Sequence, residues 1–284
     1  MTKEQRMGEA SPWEAARANA EGAGVTLRSL HDLVDADRVR SVIEEVWGEQ
    51  VLPREMVRAF QHAGSVLIGA EAGGELVGFV LGFAGFEPTL HVHSHMLAVL
   101  PGWQSRGVGF ALKLAQRAEC LDHGVEEVRW TYDPLVARNA HLNLVKLGTE
   151  AVRYLPHFYG QMTDRLNRED RSDRFEVRWR LRSERVARAV AGSPVPPAAG
   201  AAVLRSREGS AGPEPVETGI EPMPGATVAL PQDHLELRMS HPDIGWQWRE
   251  ATGRCFTRCF AAGLVATWIT PTSEYVFEPE ASLA

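Results

Sequence analysis

The sequence predicts an α/β fold of the α+β kind: a mixed, mostly antiparallel sheet flanked by helices, followed by a smaller C-terminal α+β lobe. Three observations carry this expectation. Strand and helix patterns alternate at short spacing from residue 25 to about residue 165. A Gly-Gly pair inside "SVLIGAEAGGELVGFVLGFAG" joins two apolar strand patterns into a hairpin. The stretch "VLPGWQSRGVGFALKLAQRAE", from Val99 to Glu119, places Gly107 and Gly109 two apart, just ahead of a helix-periodic run.

The elements follow in order. Residues 1–24 are rich in Ala, Glu and Gly and read as a flexible N-terminus. Val39, Val42, Ile43, Val46 and Trp47 recur at helical spacing, and Gly48 closes that helix. "PREMVRAFQHAG" is a second, shorter helix with Pro53 near its start. After the hairpin, "TLHVHSHMLAVL" is a strand. The helix that follows has Ala111, Leu114, Ala118 and Leu121 inward and Gly124 as its stop. "EEVRWTY" is a strand. Asp133 and Pro134 then read as N-cap and first residue of a helix with Val136, Ala140, Leu144 and Leu147 inward, ended by Gly148. "AVRYLPHFYG" is a further strand, closing a domain over residues 25–165. Residues 166–284 form the extension. It holds the strand "DRFEVRWRL", a Pro/Gly-rich loop over 191–225 with one short strand at "AAVLRS", and a tail reading strand, helix, strand, strand. Trp246 and Trp248 on the tail helix read as core or interface residues.

Composition sets outer limits. The chain has 284 residues and a net charge of -7, which argues against nucleic acid or an anionic membrane as the main partner. No apolar run approaches the roughly 18 residues of a membrane span, and no apolar h-region opens the chain. Three cysteines fit a reducing cytoplasm. Cys255 and Cys259 lie four apart on a predicted helix, but no further Cys or His completes a zinc spacing, so no metal is expected.

The two glycines have a mechanical reading. A strand ends at Val99–Pro101 and a helix begins near Gly107, so the turn between them presents main-chain N–H groups with few side chains in the way. Those donors, with the positive end of the helix dipole, make an anion site. Gln104 and Arg106 add side-chain donors. A diphosphate suits such a loop; a tight strand–helix turn with no ligand is the alternative. The GxGxxG and GxxxxGK[ST] nucleotide motifs are absent.

"Gln104-Ser105-Arg106-Gly107-Val108-Gly109" resembles the Q/R-x-x-G-x-G/A signature of the GCN5-related N-acetyltransferases, the GNAT superfamily, and the element order over about 25–160 resembles that fold. "VRWTYDPLVARNAHLNLVKLG", "FYG" and "DRFEVRWRL" resemble a branch of GNAT-like acyltransferases with a C-terminal extension. The resemblance implies acetyl-CoA or another acyl-CoA, such as succinyl-CoA, as co-substrate. Its diphosphate would lie on the Gln104–Gly109 loop, with Arg106, Gly107, Val108, Gly109, Phe110 and Ala111 lining the phosphates and ribose. The pantetheine arm would run along the backbone near Leu97 and Val99, and Asn139 and Asn143 would border it.

Family members usually carry a tyrosine four residues before the closing glycine of the penultimate helix, as the acid for the leaving thiolate. Here that position is Leu144. Tyr132, Tyr154 and Tyr159 are substitutes by residue type, and Tyr154 is taken as the candidate. His91, His93 and His95 alternate along one strand, which predicts that all three share a face with Leu97 and Val99. Related enzymes often place a carboxylate base about where His93 stands, so His93 and His95 are the candidate bases. A row of hydrogen-bonded structural histidines is the alternative. The expected function is acyl transfer to a primary amine of a small molecule such as an amino acid; a protein-acetylating role is the weaker option, since no acidic docking run stands out. A non-catalytic acyl-CoA-binding or interaction module is the competing expectation. The lobe is expected to wall the acceptor pocket or form a homodimer interface.

Overall fold

The computed structural model describes residues 11–48, 51–160, 171–210 and 212–280. These residues divide into two compact units, the first ending at Val128 and the second starting at Arg129.

In the first unit, α1 (Pro12–Gly22), β1 (Thr26–Ser29), α2 (Leu33–Trp47) and α3 (Arg54–His62) precede β2 (Val66–Ala72), β3 (Glu75–Gly85) and β4 (His91–Val99); a 3₁₀ turn at Pro101–Trp103 leads into α4 (Val108–Asp122). The strands pair antiparallel in the order β1-β2-β3-β4. Gly73 and Gly74 both have positive φ, +58° and +86°, as a two-residue hairpin with the right-handed strand twist requires. Leu30, Val39, Val42, Ile43 and Val57 pack with Phe79, Leu81, Met96 and Ala98 in one buried cluster, so α2 and α3 cover one sheet face. The other face belongs to α4, whose Leu112 and Gln116 side chains approach the backbone of Gly78 and Gly82.

The N-terminal expectation needs correction. Residues 1–10 lie outside the described residues, but from Pro12 the chain is helical. Ser11 caps α1 in a capping box, accepting from the Glu14 N–H at 3.2 Å while the Glu14 carboxylate accepts from the Ser11 N–H at 2.6 Å. Ala16 and Ala20 are buried, and the Trp13 indole N–H donates to Asp122 of α4 at 2.7 Å. An alanine-faced helix buries little area per residue. It is held by close approach to α4, a contact that local apolar periodicity does not announce.

The second unit contains β5 (Glu127–Tyr132, which crosses the unit boundary), α5 (Ala137–Ala140) running into a π-helical turn (His141–Lys146), β6 (Glu150–Leu155), β7 (Arg174–Arg180), α6 (Glu184–Val190), β8 (Ala202–Gly209), β9 (Gly212–Glu217), β10 (Thr227–Ala229), α7 (His234–Ser240), α8 (Pro242–Ala261), β11 (Leu264–Ile269) and β12 (Glu274–Pro279). Its strand order is β5-β7-β6-β11-β12-β10-β8-β9, and every pairing with a defined register is antiparallel except β8 with β10.

By its contacts the second compact unit begins at Arg129 and is the longer of the two. Two expectations change here. The stretch 191–225 contains the β8–β9 hairpin rather than a loop with one strand. Asp133 is not an N-cap: helix begins at Ala137. Its carboxylate accepts from the Leu135 N–H and, bidentate at 2.7 and 2.9 Å, from the Arg249 guanidinium, which is 1% exposed. Burial pushes the Asp133 pKa up, but Arg249 outweighs it and the net shift is downward. Trp248 is buried with its indole N–H on the Pro213 carbonyl, whereas Trp246 is exposed beneath the Arg171 guanidinium. Cys255 and Cys259 are buried free thiols, and no metal-holding group occurs among the described residues.

Candidate active site

The turn before α4 is built as the glycine spacing predicts. Gly107 is the helix N-cap at φ +94°, and Ser105 also has positive φ, +61°. Only glycine holds the first of these conformations without strain. Residues 104–107 are exposed, Gly107 supplies no side-chain cap, and the first turn of α4 contains no acidic residue. The first N–H groups of a helix have no acceptor within it, so this exposed end of α4 is electropositive, and its own first turn carries no carboxylate. Two predicted donors sit differently from expectation. The Gln104 side-chain amide donates to the Val99 carbonyl at 3.0 Å and so closes the turn. The Arg106 guanidinium lies 5.1 Å from the centre of the Trp103 ring, an exposed cation resting on an aromatic face. Gly109 faces β4: a Cβ there would stand 3.7 Å from Leu97 and 3.8 Å from Val99. Val108 and Ala111 are buried and Phe110 half-buried, so these three anchor the helix.

The expected common face of the histidines with Leu97 and Val99 does not form. Leu81 pairs with Met96 and Gly82 with Ser94, leaving His95 as an extra residue on β4. Such a bulge reverses the alternation beyond it. Leu97 and Val99 therefore turn toward α4. His93, opposite Phe83, turns to the side of α3, whose Phe60 stacks on Phe83 at 5.4 Å and 10°. The His93 and His95 rings lie 5.4 and 5.8 Å from the Phe83 ring and 6.2 Å from each other. His95 keeps an exposed edge, yet burial of the rest of its ring lowers its pKa below the usual 6.5, which favours the neutral, proton-accepting form. His91 is buried and structural: its Nδ1 is 2.7 Å from the Thr89 carbonyl and its ring fills the space beside Gly85.

Asn139, Asn143 and Tyr154 belong to the second unit. Asn139 is exposed; Asn143 is buried, and its carbonyl accepts from the Thr149 N–H and hydroxyl, closing the π-helical turn. Leu144 is fully buried in that turn, so no phenol stands at the usual acid position. The Tyr154 hydroxyl donates to Asp173 at 2.5 Å, and burial, first, with that carboxylate raises its pKa well above the phenol range. Its proton is held by Asp173, a buried carboxylate that is itself paired with Arg171. The Tyr132 hydroxyl is likewise buried against that of Tyr275.

Sequence reasoning missed two features of the first unit. Phe60 and Phe83 complete an aromatic wall with the histidines; each reads as an ordinary core residue in its own element. Lys113 is buried on α4, one turn after Gly109, and donates to Ser94 and Gln116 at 2.7 and 3.1 Å. Its signal, a lysine on the apolar stripe of a helix, was present in the sequence.

Comparison with known proteins places this geometry. A model of the "Acetyltransferase (GNAT) family" matches residues 29–148. No curated protein matches the chain. Among solved structures, the ribosomal-protein-S18-alanine N-acetyltransferase of Escherichia coli is similar at 16% identity and TM-score 0.46, over 55% of this chain and 94% of that one. Naa50 of Arabidopsis thaliana, in complex with the bisubstrate analogue CoA-Ac-MVNAL, is similar at 15% identity and TM-score 0.44, over 55% and 97%. Ard1 of Thermoplasma volcanium is similar at 18% identity and TM-score 0.43, over 55% and 96%. The family match carries the comparison: residues 29–148, with the glycine-capped start of α4 inside them, match the acetyltransferase domain of the GNAT family.

Proposed function

We propose that the chain is an acyl-CoA-dependent N-acyltransferase acting on a primary amine of a small molecule. The observation that carries this reading is the exposed, glycine-capped and carboxylate-free N-terminus of α4 within the family-matched segment. Its make-up suits a diphosphate: the main-chain N–H groups of a glycine-capped helix start, the Arg106 guanidinium beside them on Trp103, and at Gly109 a surface that a larger side chain would fill. Leu97 and Val99 flank that surface and would line the pantetheine arm. Asn139 and Asn143, expected to border the arm, lie in the second unit, where the main-chain carbonyl of Asn143 accepts from Thr149.

Bound acyl-CoA supplies a thioester. The chain's own part is to hold the diphosphate at α4, to hold the acceptor beside β4, and to take a proton from its nitrogen. His93 and His95 are the proposed acceptors of that proton, because both stand at the bulge where β4 turns from one face to the other. In the net exchange a C–N bond replaces a C–S bond and the amine proton ends on the thiol. An α-amino group, with pKa about 7.7–8.0, matches a histidine base better than a lysine side chain at about 10.4. No acidic docking run stands out in the sequence, so a small acceptor is favoured over a protein.

The test is release of free thiol from acetyl-CoA and from succinyl-CoA across a panel of amines. Release that requires an acceptor supports the enzyme. Tight CoA binding with no release for any amine supports the second reading, an acyl-CoA-binding or interaction module, which Leu144 at the usual acid position favours.

A further inference from the structure

Four rings meet on the α3 side of the first unit's sheet. Phe60 and Phe83 are stacked nearly parallel, and His93 and His95 continue from Phe83 at 38° and 52°. Three elements contribute: α3, β3 and β4. Phe60, Phe83 and His93 are half-buried and His95 is exposed, so the row runs from the edge of the buried cluster, against which Phe60 packs, out to solvent. Phe83 pairs directly with His93 across the ladder, and the bulge at His95 brings a second imidazole to the same ring. A regular strand would have turned residues 93, 95, 97 and 99 to one side; the bulge is what separates the histidines from the α4 side and gathers them on the phenylalanines.

The composition of this wall restricts what rests on it. Its own four side chains offer π faces and imidazole nitrogens. A planar ring gains offset-stacked or edge-on contact there beyond what its buried area gives. An aliphatic chain of similar size gains the area alone.

We infer that the acceptor is a small primary amine bearing an aromatic ring, its ring lying against Phe60 and Phe83 and its amino group beside His93 and His95. This deepens the transferase reading and rests on it for the chemistry, though not for the binding.

The experiment compares phenylalaninamide with leucinamide, whose α-amino groups are of one kind and whose bodies differ in the ring. With the full chain and acetyl-CoA, phenylalaninamide is expected to have a kcat/KM at least about fivefold higher, the scale of an aromatic pair. In Phe83→Leu, which keeps an apolar side chain and removes the ring, that ratio should fall to within about twofold. Equal kcat/KM for the two amides in the wild type, or a ratio that Phe83→Leu leaves intact, would overturn the inference. A peptide starting with phenylalanine turned over faster than phenylalaninamide would also overturn it, in favour of a polypeptide acceptor. Calorimetric titration of both amides into the CoA-saturated protein separates the two readings. Phenylalaninamide binding that weakens in Phe83→Leu supports the wall even if no thiol is released, whereas equal or undetectable binding of both amides overturns it.

Discussion

The Nζ of Lys113 donates to the hydroxyl of Ser94 across 2.7 Å, with both residues buried between α4 and β4. Desolvation lowers the lysine pKa from 10.5 to about 7. A pKa depressed on folding means that the folded chain binds fewer protons than the unfolded chain between about pH 7 and pH 10.5. Stability from this group therefore rises with pH across that window, and its burial costs most at and below pH 7. Lys113→Met removes that dependence. The stability difference between wild type and variant, measured by urea unfolding, should move in favour of wild type by about 2–3 kcal/mol between pH 7 and pH 9. A difference that stays constant with pH would show that Lys113 keeps its ordinary pKa.

Gly109→Val tests the diphosphate end. The added carbon has room, at 3.7 and 3.8 Å from Leu97 and Val99, so the fold should persist. It enters the space between α4 and β4 proposed for the donor. CoA affinity should fall at least tenfold, about 1.4 kcal/mol, by calorimetry. Unchanged binding in a folded variant would remove the loop from the site.

Gly107→Ala tests the cap itself. At φ +94° a side chain is strained, while the nearest atom to the new carbon, Ala23 Cβ, is a harmless 3.8 Å away. The expected cost is conformational, about 1–2 kcal/mol in thermal or urea unfolding. A loss far larger than this would point to a clash that the geometry does not contain.

The bases are tested by pH. Activity should fall as pH drops through the pKa of the histidine that accepts the proton. For His95 this acid limb of kcat/KM lies below 6.5, because burial disfavours its charged form. Alanine at the true base should lower kcat by about 10²–10⁴ with CoA affinity nearly unchanged. Full activity in both His93→Ala and His95→Ala would sink the assignment.

In the second unit, Arg249→Met leaves the Asp133 carboxylate buried without its bidentate partner. The expected loss is about 3–5 kcal/mol at pH 7. Because Arg249 helps hold the Asp133 pKa down, the wild-type stabilisation is present above the ordinary carboxylate pKa and fades as pH falls through the folded value. The wild-type advantage should therefore shrink in acid. If it is the same at pH 7 and in strong acid, the pair is not ionised as drawn.

The sequence by itself determined what depends on neighbours along the chain. The Gly73–Gly74 turn, the caps at Gly48 and Gly124, the α4 stripe and the Gly107 cap are set by local backbone freedom and 3.6-residue spacing, so they were legible as written. Tertiary structure decided what depends on partners distant in sequence. The packing of α1 rests on alanines that only α4 gives a use. Asp133 was drawn to Arg249, 116 residues away, rather than to a helix start. The faces of β4 were set by one extra residue, His95, whose place in the ladder is fixed by register with β3 and leaves no mark in an alternating His-x-His-x-His. That slip carries His93 and His95 away from Leu97 and Val99 and onto Phe83. Strand alternation predicts faces only while pairing stays one to one, and a bulge is a property of two strands together.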